Sequence, residues 1–243
     1  CIVQRKKYTE FKFLEVKMSD FNSLTASELG DMIGRGEIDP VELAEYFLSQ
    51  IELSPIGRKI YSTVTSQLAL EQAKDAKKRA DLGRRLSSLD GVPISWKDLF
   101  DISGYPCEAG SELLAGRLAI KNSKVYNFAE AHGLICLGKT HMSELAFSGL
   151  GLNPVRETPP CVNYPESVPG GSSSGAATSV AFGLAAAGIG SDTGGSVRIP
   201  AAWNDLVGFK TTAGKLSLDG VVPLCSRFDT VGPLTKSVED AAR

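Results

Sequence analysis

The sequence predicts an α/β protein with a mixed, largely buried β-sheet flanked by helices. Glycine becomes frequent from residue 90 onward, and in this region short apolar runs alternate with segments of helical character. The runs Val92–Ser95 and Leu134–Leu137 lack the polar alternation of a half-exposed strand, which is typical of strands covered on both faces. A chain of 243 residues, 42% of them hydrophobic, is long enough to bury a sizeable core.

The first two predicted elements are helices with clear N-terminal signals. Thr25-Ala-Ser-Glu28 has the pattern of a capping box. Asp39 precedes Pro40, so that an acidic N-cap is followed by a proline in the first helical position. The apolar positions that then recur on one face of the second helix are Val41, Ala44, Leu48 and Ile51.

The remaining elements follow from composition and periodicity. A short strand is predicted at Ile60–Thr65, and the alanine- and charge-rich residues 66–83 predict a solvated helix. The later predictions are a helix from Ser123 through Ala131, a small-residue helix within Ser172–Ala187, a strand at Ile189–Ser191, and the beginning of a helix at residues 237–243. Because this last element has only begun, we expect the fold to be incomplete at residue 243.

The domain organisation is simple. Residues 1–17 carry more basic than acidic side chains and lack the apolar h-region of a secretory signal, so they are predicted to be an extension, non-native or disordered. Residues 18–243 show neither an internal repeat nor a linker and are predicted to be the N-terminal part of a single domain.

Composition excludes several classes of function. The 26 Lys and Arg residues nearly balance the 28 Asp and Glu residues, so charge does not favour nucleic acid or an anionic membrane. No stretch of 18 apolar residues occurs. The cysteines are odd in number and widely spaced, which argues against a disulfide framework or a zinc site and predicts a reducing cytoplasm. They are Cys1, Cys107, Cys136, Cys161 and Cys225.

Three short motifs match known catalytic patterns weakly. Gly133–Thr140 fits the P-loop pattern GxxxxGK[ST], but the four residues that should wrap a phosphate have the composition of a strand. An NTPase is therefore only a remote alternative. Lys139 and Thr140 are expected instead to leave this strand. Gly171–Gly175 fits GxSxG without a preceding strand or a later histidine. Asp192–Gly194 resembles the loop of an aspartic protease but lacks a second copy.

Three other segments together indicate an activated serine. They are Gly91–Asp98 (GVPISWKD), Pro169–Gly175 (PGGSSSG) and Gly190–Pro200 (GSDTGGSVRIP). In the third, the glycines allow several backbone N–H groups to approach one oxygen, with a serine at the end of the turn. The chain has no histidine in a usable position, so the base must be a carboxylate or a neutral lysine such as Lys97, buried at a strand end.

These segments resemble the amidase signature family. The resemblance runs from about residue 23 to residue 243 and is most specific at 169–212, which ends in GFKTT. It implies the amidase signature fold and a Ser–Ser–Lys triad with Ser196 as nucleophile, Ser172 as proton relay and Lys97 as base. It also implies a cis peptide bond between Gly171 and Ser172. The oxyanion hole would consist of the N–H groups of Thr193, Gly194, Gly195 and Ser196. The supporting residues would be Ser173, Asp192 and Arg198.

The resemblance further implies a function. The expected reaction is hydrolysis of the C–N bond of a linear carboxylic amide through a serine acyl-enzyme, without a metal or an organic cofactor. The expected partners are a small-molecule amide substrate and a second copy of the chain in a homodimer. Direct binding to nucleic acid or to a membrane is not expected. The alternatives are the glutaminase subunit of a tRNA-dependent amidotransferase, which needs partner subunits, and an inactive truncated fragment.

Overall fold

The computed structural model describes residues 21–243, and the predicted extension at residues 1–17 lies outside this range. The described elements are α1 (Ala26–Gly34), α2 (Pro40–Leu53), α3 (Gly57–Ile60), β1 (Tyr61–Val64), α4 (Ser66–Asp81), β2 (Pro93–Lys97), α5 (Lys124–Ala131), β3 (Ile135–Thr140), α6 (Ser174–Ala181), β4 (Ala187–Ser191), α7 (Arg198–Trp203), β5 (Val207–Gly208), β6 (Val231–Thr235) and α8 (Val238–Ala242). Short 3₁₀ turns occur at Glu112–Leu114 and Glu144–Ala146.

Both predicted helix N-termini are confirmed. The Thr25 hydroxyl accepts a hydrogen bond from the Glu28 N–H at 3.1 Å, and the Glu28 carboxylate accepts one from the Thr25 N–H at 2.8 Å. The Asp39 carboxylate accepts the Val41 N–H at 2.8 Å. These bonds satisfy N–H groups that have no partner within the first turn of a helix.

The strands form one six-stranded sheet in the order β1-β3-β2-β4-β6-β5. Strand β2 runs parallel to both β3 and β4, whereas the pairs β1–β3, β4–β6 and β5–β6 are antiparallel. The predicted mixed sheet is therefore confirmed. Because the carboxyl ends of the parallel strands β2 and β4 lie at the same edge, the residues that follow them are brought together.

The P-loop interpretation of Gly133–Thr140 is wrong. Residues 135–140 are strand β3, so the segment that would have to wrap a phosphate is paired with β2 instead. Lys139 does not leave the strand as expected: its ammonium lies 2.9 Å from the Asp98 carboxylate and donates to the Pro106 carbonyl. Thr140 ends the strand, and its hydroxyl donates to the Trp96 carbonyl at 3.2 Å.

Helix α4 is less solvated than its composition predicts. Its charged residues face water, but Ala69, Ala73 and Ala76 are buried. Two of these alanines pack with Ala44 of α2 and Ile135 of β3. Alanine at a helix contact allows a close approach between neighbouring elements, which explains how so polar a helix joins the core.

Strand β2 has different side chains on its two faces. Ile94 and Trp96 point towards the main apolar core, where the Trp96 ring makes an edge contact with Phe100 at 5.4 Å and lies 5.2 Å from Tyr126. The alternation of a strand then places Lys97 on the opposite face, with Ser95. Ser95 and Ser179 of α6 share a hydrogen bond of 2.7 Å between their hydroxyls, so Lys97 projects on the face covered by α6.

Helix α6 lies unusually close to the sheet. A Cβ atom added at Gly188 of β4 would be 2.7 Å from the Ala176 carbonyl oxygen of α6. Only glycine at this position allows the helix backbone to approach. The N-terminus of α6 is thereby held next to the carboxyl end of β2.

Two features are absent from residues 21–243, the part of the chain that the structure describes. No helix in that range is long and apolar enough to cross a membrane. Nor does the range contain a group of three or more His, Cys, Asp or Glu side chains that could hold a metal ion.

The buried Lys139–Asp98 ion pair generates a prediction about stability. We expect Lys139→Met to lower the free energy of unfolding by about 3–5 kcal/mol, because the Asp98 carboxylate stays buried without its cation. Urea denaturation measures this change. The matched control is Lys124→Met, since Lys124 pairs with Asp219 at the surface, where both side chains are more than half exposed. The control should lose about 1 kcal/mol or less.

A double variant separates the charge effect from a general loss of packing. Lys139→Met combined with Asp98→Asn removes both charges, and we expect it to recover part of the stability lost in Lys139→Met alone. Equal stability of Lys139→Met and Lys124→Met would show that the buried pair has no special importance.

Candidate active site

Lys97 is at the centre of the candidate site, at the carboxyl end of β2. Its side chain is fully buried. The Nζ atom lies 2.7 Å from the Ser172 hydroxyl oxygen and 2.9 Å from the Ser191 hydroxyl oxygen. A lysine amine at this position is within proton-transfer distance of a serine hydroxyl.

Burial lowers the pKa of Lys97 to about 7, because removal from water penalises the ammonium. The negative charges of Asp192 and Asp229 act in the opposite direction and raise this pKa. The amine therefore becomes neutral above about pH 7, where an ordinary lysine would still be charged. A neutral amine can accept a proton.

Ser172 precedes α6 and is reached through a cis peptide bond from Gly171, as the resemblance implies. Its carbonyl accepts a hydrogen bond from the Ser143 N–H at 3.1 Å. The next serine, Ser173, donates from its hydroxyl to the Ser191 carbonyl at 3.3 Å, and Ser174 donates to the His141 carbonyl at 3.4 Å. Of the three consecutive serines, the first therefore faces Lys97, and the other two bind main-chain carbonyls.

Ser196 follows the glycine turn that comes after β4. Its carbonyl accepts the Ser173 N–H at 3.2 Å, which joins this turn to the segment that carries Ser172. Its hydroxyl has no hydrogen-bond partner among residues 21–243, and the residue keeps 8% of its surface exposed. The structure thus brings Lys97, Ser172 and the Ser196 segment together from three separate parts of the chain.

The Asp192 carboxylate organises the turn. It accepts hydrogen bonds from the N–H groups of Gly195 and Val197 and from the Arg198 guanidinium, which it meets at 3.0 Å through two nitrogens. Lys210 also binds it, at 3.1 Å. Burial alone would raise the pKa of Asp192, but these hydrogen bonds outweigh burial and hold the pKa well below its ordinary value.

One predicted oxyanion donor needs correction. The Gly195 N–H donates to the Asp192 carboxylate at 2.9 Å, so it is not free to bind an oxyanion in this structure. In the described part of the chain, the N–H groups of Thr193, Gly194 and Ser196 have no recorded acceptor. Asp side chains commonly accept hydrogen bonds from backbone N–H groups two or three residues further along the chain, and this local interaction explains the difference.

Sequence reasoning did not identify two polar contacts of the site. Ser191 binds the Lys97 amine, and Lys210 binds Asp192 from the segment after β5. The position of Ser191 at the carboxyl end of a predicted strand beside β2 is a weak signal. Lys210 has no local signal, because its site contacts lie 17 to 20 residues away in the sequence.

A profile of the Amidase family matches residues 42–243. This match covers most of the chain, including all three segments of the site.

The chain belongs to the Amidase family.

The curated relatives of the chain are proteins of about twice its length. The glutamyl-tRNA(Gln) amidotransferase A-subunit of Anaeromyxobacter dehalogenans is 41% identical over 217 residues, which are 88% of this chain and 44% of that protein. The protein of the same name from Jannaschia is 38% identical over 235 residues, 93% of this chain and 46% of its own length. The chain thus spans about half the length of these relatives.

Solved structures give the same family. The peptide amidase from Stenotrophomonas maltophilia superposes with a TM-score of 0.84 at 30% identity, covering 96% of this chain and 47% of that chain. An amidase family protein from Bacillus anthracis has a TM-score of 0.83 at 28% identity, covering 95% of this chain and 49% of that chain. This Amidase-family chain therefore has the amidase fold over about half of its relatives' length.

The buried amine generates a prediction that needs no substrate. In an NMR titration of lysine side chains, we expect one lysine to titrate near pH 7, because burial favours its neutral form. That resonance should be absent from Lys97→Met. It should persist in Lys236→Met, which removes another partly buried lysine bound to main-chain carbonyls. If the resonance lost in Lys97→Met titrates at about 10, as in model peptides, Lys97 is an ordinary charged lysine.

Proposed function

We propose that this chain carries the serine-based catalytic centre of an amidase that hydrolyses the C–N bond of a linear carboxylic amide. The observation that carries the proposal is the 2.7 Å contact between the buried Lys97 amine and the Ser172 hydroxyl, next to the Ser196 segment. Family membership supports the same reaction class.

In the first half-reaction, Ser196 Oγ forms a bond to the carbonyl carbon of the amide. Its proton passes to Ser172, while the Ser172 proton passes to the neutral Lys97 amine. The carbonyl oxygen becomes an oxyanion, which the N–H groups of Thr193, Gly194 and Ser196 are placed to stabilise. Donors that are fixed before the reaction begins stabilise such a charge most effectively, because they need no reorganisation.

The proton path then reverses: the C–N bond breaks as the Lys97 ammonium returns a proton through Ser172 to the leaving nitrogen, which completes the acyl-enzyme. In the second half-reaction, the same relay takes a proton from water while the water oxygen attacks the acyl carbon. The ester bond to Ser196 then breaks, the relay returns that proton to Ser196 Oγ, and the carboxylic acid is released. Lys97 thus acts as base and acid in turn, for which a pKa near the working pH is favourable.

A second candidate is the glutaminase reaction of an amidotransferase subunit. Several curated relatives at 36–41% identity carry the name of the glutamyl-tRNA(Gln) amidotransferase A-subunit, and this observation favours it. The chemistry at Ser196 would be the same, but the substrate would be glutamine and the ammonia would pass to a second site. The partners would then be further subunits rather than a second copy. The cytoplasmic location predicted from the cysteine pattern remains part of both proposals.

Ammonia release distinguishes these two functions. Under the first proposal, the chain alone releases ammonia from a simple amide such as benzamide. Under the second, it releases ammonia from glutamine, and only together with the other subunits of such an amidotransferase. Activity in neither assay from a folded chain would favour the inactive-fragment alternative.

A fluorophosphonate probe tests the site itself. We expect the probe to form an adduct with Ser196, located by peptide mass spectrometry, because the relay makes this hydroxyl nucleophilic. Ser196→Ala should abolish the adduct, and Ser172→Ala or Lys97→Ala should slow labelling by about 10²–10⁴-fold. The rate should fall as the pH drops through about 7, because the Lys97 amine is protonated there.

Ser174→Ala is the matched control for this experiment. Ser174 lies in the same run of serines, but its hydroxyl binds the His141 carbonyl rather than the amine, so labelling should proceed at nearly the parental rate. An adduct on Ser173, or a folded chain without an adduct, would contradict the proposed role of Ser196.

A further inference from the structure

Lys210 lies beside the oxyanion turn but outside the three segments that form the triad. It follows the short strand β5, which pairs with β6, and its side chain is 28% exposed. Its ammonium donates to the Asp192 carbonyl at 2.6 Å, the Asp192 carboxylate at 3.1 Å, the Thr193 carbonyl at 3.3 Å and the Thr230 hydroxyl at 3.3 Å. The three N–H bonds of this ammonium are shared among four acceptors, which indicates a specific task rather than a surface charge.

Two of these acceptors are consecutive main-chain carbonyls. In a trans peptide, the C=O and the N–H of one unit point in opposite directions, because the unit is planar. Holding the Asp192 carbonyl therefore fixes the direction of the Thr193 N–H, and holding the Thr193 carbonyl fixes that of the Gly194 N–H. These are two of the three N–H groups that remain free for an oxyanion.

The two peptide units are not equally supported. The Asp192 carbonyl also accepts hydrogen bonds from the N–H and the hydroxyl of Thr230, at 3.1 and 2.7 Å. For the Thr193 carbonyl, Lys210 is the one donor recorded among residues 21–243. Gly194 adds no side chain, and a Cβ atom there would touch nothing within 4 Å. The orientation of the Gly194 N–H thus depends on Lys210.

Lys210 also affects the base through charge. Asp192 and Asp229 are the two carboxylates whose charge acts on Lys97, and Asp98, the residue directly after β2, is paired with Lys139 instead. Arg198 and Lys210 are the cations bound to Asp192, and Arg198 is the more exposed of the two, at 51%. Asp229 is occupied by the Thr193 hydroxyl and the N–H groups of Leu224 and Cys225.

We propose that Lys210 is a positioning residue of the amidase reaction, which aims the Thr193 and Gly194 N–H groups at the oxyanion and screens the Asp192 charge from Lys97. This role rests on the proposed function, because it acts on an oxyanion formed at Ser196. It requires no contact between Lys210 and the substrate.

The rate of fluorophosphonate labelling at Ser196 tests the role, since the phosphoryl oxygen of the probe occupies the oxyanion position. In Lys210→Met we expect the maximal labelling rate to fall about tenfold to a hundredfold, somewhat less than for complete loss of one oxyanion donor. Probe affinity should change by less than about twofold, because the lost interaction is made in the transition state.

The pH profile distinguishes positioning from a merely structural role. Without the Lys210 cation, the Asp192 charge acts more strongly on Lys97 and raises its pKa, so the acid limb of the labelling profile should move to higher pH. Lys210→Arg keeps the charge and should retain the parental limb while recovering part of the rate. Lys210→Gln, whose amide still donates to a carbonyl, should fold if the methionine variant does not, and it should show the limb shift.

Lys236→Met is the matched control. Lys236 is also a partly buried lysine that donates to two main-chain carbonyls, those of Asn22 and Leu24, but it lies beyond β6 and away from the turn. Its removal should leave both the labelling rate and the acid limb unchanged.

The outcomes separate this inference from the proposed function. If the parent chain forms no adduct at Ser196, the proposed function fails, and the role of Lys210 fails with it. Suppose instead that the parent chain forms the adduct at Ser196, but Lys210→Met and Lys210→Gln show the same labelling rate and the same acid limb of the pH profile as Lys236→Met. The inference about Lys210 alone is then overturned. The inference is also overturned if Lys210→Met labels more slowly but its acid limb is unshifted, and Lys210→Arg does not recover any of the labelling rate.

Discussion

A lysine amine enclosed by β2, β4 and the N-terminus of α6 is the constraint on which the rest of the site depends. Burial is what lowers the pKa of this amine to about 7, and it is effective only while nearby negative charge is controlled. The negative charge of Asp192 raises the pKa of Lys97 and so opposes the effect of burial. The Asp192 carboxylate must therefore be occupied by cations and hydrogen-bond donors. The same hydrogen bonds that occupy Asp192 also shape the turn at Thr193–Ser196, which we propose as the oxyanion hole. The pKa of Lys97 and the geometry of this turn are therefore coupled through one side chain.

The fold supplies this enclosure by close backbone packing rather than by large side chains. Strand β4 carries glycine where α6 crosses it, and a Cβ atom at Gly190 would lie 2.5 Å from the Ser173 hydroxyl. Large apolar side chains such as Trp96 occupy the opposite face of β2. One face of the sheet thus provides most of the apolar core, while the other brings helix and strand backbones close enough for an amine and a hydroxyl to meet at 2.7 Å.

Local signals predicted the local structure well. The capping box at Thr25, the N-cap at Asp39 and the apolar run that became β2 are encoded by neighbouring residues, and the structure confirms them. Predictions failed where a distant partner decided the outcome. Lys139 was expected to leave its strand, but it stays within β3, and the parallel pairing of β2 and β3 places it against Asp98. The Gly195 N–H was expected to face an oxyanion, but the Asp192 carboxylate takes it.

The sequence by itself determined the α/β class, the N-termini of the first two helices and, through its resemblance to a family, which lysine and serines to examine. Only the tertiary structure decided that Ser191 shares the Lys97 amine and that Lys210 reaches the turn beside Ser196. The physical reason is distance along the chain. Caps and strand periodicity act between residues a few positions apart, whereas the pKa of a buried amine depends on groups up to 132 residues away, which become neighbours only when the sheet forms.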